Sequence, residues 1–145
     1  MDKEERIGYY IKMISNSMDN IKNKHLEEID LTSSQAEILL YLCFNKDNDI
    51  NQRELENKFK LSNPTINGIL NRLESKKFII RELSMKDARC KNIKITNSGF
   101  NLYAQMLKIA NMMEKEITNG ITPDEKKIFI NIIIKIYNNI CNKDI

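Results

Sequence analysis

The sequence is poor in several residue types that particular protein classes require. Its 145 residues include only four Gly and two Pro, which disfavours a turn-rich all-β fold and favours a mainly helical one. Its three cysteines, Cys43, Cys90 and Cys141, form neither a CxxC pair nor an even disulfide set, so we expect a reduced, cytoplasmic protein. No apolar run approaches the roughly 20 residues that cross a bilayer, and the charged N-terminus is unlike a signal peptide. We therefore expect no membrane partner.

The scarcity of histidine argues against an enzyme. A Ser/His/Asp or Cys/His set could form only around His25, which continues an apolar helical stripe. The chain also lacks a P-loop, a GxGxxG motif and a cluster of metal-ligand residues. We expect no catalytic residues, no metal and no cofactor.

Positive charge is concentrated in the middle of the chain. Residues 51–99 contain 11 Lys/Arg against 5 Asp/Glu, a net +6, whereas the remainder contains 12 against 15, a net −3. Such a segment favours an anionic partner, although a solvated basic surface gives the same count.

Apolar spacing and capping residues predict six helices. The caps are Ser, Thr and Asn, some followed by Gln or Glu at the third helical position. The expected helices cover about 5–28, 33–45, 52–59, 63–76, 97–119 and 123–141. Strands are predicted at 78–83 and 92–95, joined by the charged loop 84–91. A helix-turn-helix followed by a β-hairpin is a winged helix-turn-helix.

The two ends of the chain carry apolar residues that one chain cannot cover. The first helix has a heptad-like stripe: Ile7, Ile11, Ile14, Met18, Ile21 and His25. The last helix is apolar on several sides, between Ile128 and Ile140. This pattern favours a homodimer formed through helices 5–28 and 100–141.

Six short motifs, in order, resemble the MarR family of transcriptional regulators. They are Leu31-Thr32-x-x-Gln35, Gln52-Arg53-Glu54-Leu55, Leu61-Ser62-x-Pro64-Thr65, Leu73-Glu74, Asp87-x-Arg89 and Ile95-Thr96-x-x-Gly99. The resemblance implies one MarR-type domain over 1–145, with a DNA-binding lobe at 51–99, its helix-turn-helix at 51–76 and its wing at 78–95. It also implies a homodimeric repressor that binds a pseudo-palindromic operator in double-stranded DNA and responds to a small molecule.

The fourth helix has a polar face suited to a DNA major groove. Short hydrogen-bonding side chains and one Arg lie opposite its apolar stripe; Asn suits bidentate pairing with adenine, and Arg with guanine. In the family that the chain resembles, the wing Arg enters the minor groove and the Asp helps to hold it; together these features favour an A·T-rich site. The residues expected to contact DNA are Arg53, Ser62, Asn63, Pro64, Thr65, Asn67, Gly68, Asn71, Arg72, Lys76, Asp87, Arg89 and Lys91.

One position departs from the family pattern, and two alternatives stay open. The family usually has Gly after the recognition helix, where this chain has Lys77; a left-handed Lys there costs about 1–2 kcal/mol. A small-molecule site implied by the resemblance is expected to involve Met13, His25 and Met106. The alternatives are a redox-sensing regulator of the same fold, with Cys90 in the basic wing, and a winged helix that binds protein instead of DNA.

Overall fold

A computed structural model describes residues Arg6–Cys141 and shows a mainly helical chain with one small sheet. The predicted winged helix class is confirmed. The expected start of the first helix near Glu5 lies outside the described residues. In chain order the elements are α1 (Ile7–Glu27), α2 (Ser33–Phe44), β1 (Ile50–Asn51), α3 (Gln52–Phe59), α4 (Asn63–Ser75), β2 (Ile79–Leu83), β3 (Lys91–Ile95), α5 (Asn97–Ile117) and α6 (Pro123–Cys141).

The helix starts follow from the capping residues. The Thr32 hydroxyl accepts a hydrogen bond from the Gln35 backbone N–H at 3.3 Å, and the Gln35 side chain accepts one from the Thr32 N–H at 3.2 Å. This is a complete capping box, as predicted. The Asn51 side chain caps α3 by accepting a hydrogen bond from the Glu54 N–H at 2.9 Å.

The sheet has three antiparallel strands, one more than the sequence predicted. β3 lies in the centre, with β2 on one side and the two-residue strand β1 on the other. Ile50 pairs with Ile93 across β1 and β3, and Ile79 pairs with Ile95 across β2 and β3. β1 thereby attaches the start of α3 to the wing.

The core of the winged helix region is aliphatic. The apolar stripe of α4 is buried as predicted, and Ile66, Leu70 and Leu73 are inaccessible to solvent. Burial of aliphatic side chains is the main source of stability for such a domain. Because this stripe faces inward, the opposite, polar face of α4 lies at the surface. The other fully buried large side chains are Ile38, Leu39, Leu42, Leu55, Ile79 and Ile93.

Helix α5 has two apolar stripes, and only one of them is buried. The apolar spacing alone predicts a buried stripe of Phe100, Tyr103, Leu107, Ala110 and Met113, but Phe100 and Leu107 are exposed. The residues of α5 that are buried are Gly99, Leu102, Met106 and Ile109.

The chain divides into two compact units, one ending at Ala110 and the other beginning at Asn111. In the second unit Gly120 adopts a φ of 75° after α5, and α6 begins with a capping box. The Thr122 backbone N–H, and to a lesser extent its hydroxyl, holds the pKa of the Glu125 carboxyl below its ordinary value. None of the residues of α6 is buried in the single chain. Between Arg6 and Cys141 no helix is both long and apolar enough to span a membrane.

Candidate nucleic-acid interface

The polar face of α4 is accessible and is oriented by contacts at its first turn. Ser62 caps the helix, and its hydroxyl lies 2.8 Å from that of Thr65. Asn63 donates a hydrogen bond from Nδ2 to Glu56 Oε1 at 2.7 Å, which ties the start of α4 to α3. The face consists of Thr65, Asn71, Arg72 and Ser75, which are exposed, and of Asn67 and Gly68, which are half-buried.

An open groove of about 550 Å³ runs between α4 and the wing. It brings together residues that are far apart in the sequence, from β1, α3, α4, β2 and the wing. Of the residues expected to contact DNA, the groove is lined by Arg53, Asn63, Asn67, Arg89 and Lys91. It is also lined by Gln52, Glu56 and Arg81, which were not among the residues expected to contact DNA.

Arg81 on β2 contacts two of the asparagines of α4. Its Nη1 lies 3.1 Å from Asn67 Oδ1, and its Nη2 lies 2.5 Å from Asn71 Oδ1. Its Nε lies 3.7 Å from Glu74 Oε2 and makes no hydrogen bond among the described residues. The side chain is only 14% exposed, so this guanidinium is part of the packing between β2 and α4.

The wing loop is organised by Ser84 and Asp87. Ser84 Oγ accepts hydrogen bonds from the backbone N–H groups of Lys86 and Asp87, at 3.2 and 3.3 Å. The Asp87 carboxylate accepts from the Arg89 backbone N–H at 2.9 Å and lies 3.5 Å from Arg89 Nε. The Arg89 side chain is nevertheless 93% exposed, so Asp87 orients it without burying it.

The turn after α4 is left-handed, in spite of the lysine. Lys77 has a φ of 61°. Its N–H bonds to the Glu74 carbonyl, and the Phe78 N–H bonds to the Leu73 carbonyl, which is the hydrogen-bond pattern of a Schellman motif. The turn therefore keeps the geometry that a glycine would provide, at the cost of a strained residue.

Lys76, which precedes that turn, is engaged within the protein. Its Nζ lies 2.5 Å from the Asp30 carbonyl oxygen and 3.3 Å from the Asp30 carboxylate. It also donates to Gln35 Oε1 at 3.3 Å. These contacts link the end of α4 to the connection between α1 and α2.

Gly68 lies on the polar face of α4 with open space in front of it. A Cβ added there would meet no atom within 4 Å, other than those of its own helix and chain neighbours. Internal packing therefore does not require this glycine, although Gly costs a helix interior about 1 kcal/mol relative to Ala.

The cysteines occupy three different environments. Cys43 is in the core, and burial raises the pKa of its thiol, which opposes formation of the reactive thiolate. Cys90 lines the groove, and its Sγ lies 3.8 Å from Asp87 Oδ2. Cys141 is exposed at the end of α6. Within residues 6–141 no three His, Cys, Asp or Glu side chains form a group that could hold a metal ion.

The three residues expected at an effector site differ in their exposure to solvent in the single chain. Met106 is 5% exposed and belongs to the core, whereas Met13 is 48% exposed on α1. His25 is half-buried, and its Nδ1 lies 3.9 Å from Glu28 Oε1. None of these three residues lines the groove between α4 and the wing.

Sequence reasoning missed Arg81 and Glu56 as members of this site. The missed signal for Arg81 is strand alternation, because Arg81 shares a face of β2 with buried Ile79. Isoleucine stands on both faces of this strand, at 79 and 80, so alternation alone did not show which face was inward. Glu56 gives no comparable signal, since its role depends on the approach of Asn63 from the next helix.

Comparison with known proteins agrees with the motifs. Residues 29–89 match the model of the MarR family. The structure of MepR, a transcription regulator of the Staphylococcus aureus multidrug efflux pump MepA, is 27% identical and superposes with a TM-score of 0.83, covering 92% of this chain and 98% of that one.

Two further structures show the same similarity. An S. aureus MepR–DNA complex is 27% identical, with a TM-score of 0.78 over 93% of this chain and 98% of that one. The transcription regulator MarR from Oenococcus oeni PSU-1 is 29% identical, with a TM-score of 0.66 over 92% and 99%. The resemblance inferred from the motifs is therefore confirmed: residues 29–89 are a MarR-family segment, in a chain that has the winged helix fold of the MarR-family transcription regulators.

Proposed function

We propose that this protein is a transcription regulator that binds double-stranded DNA sequence-specifically as a homodimer. The observation that carries the proposal is the groove between α4 and the wing. On one side of it the polar face of α4 is accessible, and on the other the exposed Arg89 is held by Asp87. A helix for the major groove beside a basic hairpin for the minor groove is the arrangement that such regulators use.

The charge distribution supports DNA as the partner. The net +6 of residues 51–99 lies in the segment that forms α3, α4 and the wing. Exposed cations there, such as Arg53, Arg72 and Lys91, are suited to phosphate contacts, which position a protein on DNA and contribute most of its salt-dependent affinity. This charge favours DNA over a protein partner, since DNA is the more densely anionic of the two.

The exposure of large apolar side chains supports a homodimer. In α6, Ile128 is 60% exposed and Phe129 is 56% exposed, and in α1, Ile7 is 61% exposed. Monomeric soluble proteins rarely leave such side chains grouped on their surface. A second copy that covers them would create two DNA-binding regions, and dimers of this type bind half-sites roughly one helical turn apart.

The relatives supply the remaining parts of the proposal. A structure of MepR was solved with DNA, and MepR is described as a regulator of a multidrug efflux pump. By analogy we propose that this protein is a cytoplasmic repressor that responds to a small molecule. Met13, His25 and Met106 remain the candidate effector residues. An effector would act only if it bound the DNA-competent and DNA-incompetent states with different affinity.

The test is recovery of DNA fragments from the source genome by the purified protein, together with its mass in solution. The proposal predicts a dimer and enrichment of fragments that share a pseudo-palindromic sequence. A variant in which Arg89 and Arg72 are both replaced by alanine controls for retention by charge elsewhere on the protein. A monomer that retains no fragment selectively, even at low salt, would contradict the proposal.

A further inference from the structure

Arg81 lies behind the face of α4 that is proposed to contact DNA, and its guanidinium contacts two residues of that face at once. The Asn67 and Asn71 oxygens lie 3.1 and 2.5 Å from its two terminal nitrogens. Both asparagines precede Glu74, which contacts the same guanidinium through Nε, so one arginine is in contact with three successive turns of α4.

The chemistry of the guanidinium fixes how both amides are turned. Arginine has only donors, so the atom of each amide that faces it must be the acceptor Oδ1. The Nδ2 group of each asparagine, which has two donors, then points away from the guanidinium. Asn71 is exposed, so its Nδ2 is available at the surface of α4.

We infer that Arg81 is a specificity-determining positioning residue, which makes Asn67 and Asn71 present hydrogen-bond donors to a DNA base edge. This inference rests on the proposed function. Bidentate pairing with adenine requires an asparagine to turn Oδ1 and Nδ2 toward the same base, but here Oδ1 is turned toward Arg81, which takes up one of its two acceptor positions. Donors alone suit the major-groove acceptors, which are densest on guanine, with N7 and O6. The adenine preference expected from the asparagines alone is thereby replaced by a preference for acceptor-rich edges.

The experiment selects binding sites from random duplex DNA with the wild type and with the variants Arg81→Met and Arg81→Lys. Methionine removes every donor, and lysine keeps the charge but has one nitrogen, which cannot replace the two-nitrogen contact. We expect the wild type to favour guanine at the base positions nearest Asn67 and Asn71. Both variants should shift toward adenine by about fivefold or more at those positions, since a good bidentate pair gives roughly that discrimination or more.

Lys58→Met is the matched control. It removes one positive charge from α3, where the Lys58 ammonium lies 5.8 Å from the centre of the Tyr41 ring, and Lys58 does not line the groove that contains Asn67 and Arg81. Its base preferences should equal those of the wild type. A further control combines Arg81→Met with Asn67→Ala and Asn71→Ala. If Arg81 acts through the asparagines, this triple variant should have the same base preference as the double variant that carries only Asn67→Ala and Asn71→Ala.

A measurement without DNA keeps the inference testable if a variant binds poorly. The side-chain amide NMR signals of Asn67 and Asn71 should move in Arg81→Lys and stay in place in Lys58→Met. Unchanged base preference in folded Arg81 variants, or unchanged amide signals, would overturn the inference while leaving the proposed function intact. A wild type that selects no DNA sequence would instead overturn both.

Discussion

Gly99 lies against the backbone of Phe78 so closely that no side chain fits between them. A Cβ built on Gly99 would lie 2.2 Å from the Phe78 carbonyl oxygen and 2.9 Å from Ile95 Cγ1. The same carbonyl accepts a hydrogen bond from the Thr96 N–H at 3.0 Å, and the Thr96 hydroxyl donates to the Lys77 carbonyl at 2.7 Å. The start of α5 is therefore seated on the turn that follows α4.

Gly99→Ala should destabilise the protein. The new methyl group must displace backbone atoms and break the Thr96–Phe78 hydrogen bond, and overpacking of this kind costs about 1–3 kcal/mol or more. Urea unfolding measures the difference. Gly8→Ala is the control, because a Cβ there meets nothing within 4 Å, and its free energy of unfolding should not fall.

Gly68→Ala should raise the stability of the protein and weaken its binding to DNA. Alanine favours a helix interior by about 1 kcal/mol relative to glycine, and the added Cβ meets no neighbour, so the free energy of unfolding should rise. The methyl group would, however, stand on the face proposed to approach DNA. We expect weaker operator binding, measured by fluorescence anisotropy. A variant that is more stable and binds as tightly would show that DNA does not approach this position closely.

Lys77→Gly should stabilise the turn after α4 by up to about 1 kcal/mol, because Lys77 has a φ of 61°, which a Cβ makes unfavourable. Lys77→Ala removes the same charge but keeps the Cβ, so it should give no such gain. Thermal unfolding of the two variants side by side is the measurement. Equal stability of both would mean that the strain at this position is relieved elsewhere.

Asp49 should contribute stability that depends on pH. The hydrogen bond from Lys94, at 2.8 Å, together with the charge of that lysine, lowers the pKa of the Asp49 carboxyl below its ordinary 3.8. A carboxyl with a lowered pKa in the folded state stabilises it fully above about 3.8, and this is lost as the pH falls through the folded-state pKa. Asp49→Asn should therefore be less stable than wild type near pH 7, and the difference should vanish in acid. A difference that persists unchanged at the lowest pH would contradict this assignment.

Arg89→Ala should weaken DNA binding and change its dependence on salt. Each phosphate neutralised contributes about 0.9 to the slope of log affinity against log salt concentration. Loss of this exposed wing cation should reduce the magnitude of the slope by about one unit. Binding titrations at four or five salt concentrations measure it, with Lys58→Met as the control for loss of charge outside the wing. An unaltered slope would indicate that the wing does not contact the DNA.

Features set by nearby residues were predictable from the sequence, and those set by distant pairing were not. The Thr32–Gln35 capping box and the buried face of α4 follow from residues within one or two helical turns. Strand β1 was missed, because Ile50 is extended through its pairing with Ile93, 43 positions further along the chain.

The candidate nucleic-acid interface was likewise predictable from the sequence only in part. The exposure of the polar face of α4 follows from its periodicity, but the contact of Arg81 with Asn71 requires knowing which face of β2 is inward. In α5 the sequence offered two apolar stripes, and only the packing of the chain selects Leu102 and Met106 over Phe100 and Leu107 for the core.

The most direct test of the account is a hydroxyl-radical footprint of the protein on a DNA fragment that it selects. Two symmetric protected half-sites, with centres roughly 10 base pairs apart, are the expected result for a dimer with one α4 and one wing on each half-site. The footprint should weaken in Arg89→Ala and remain in Lys58→Met. A single unpaired patch, or no protection at low salt, would contradict the account.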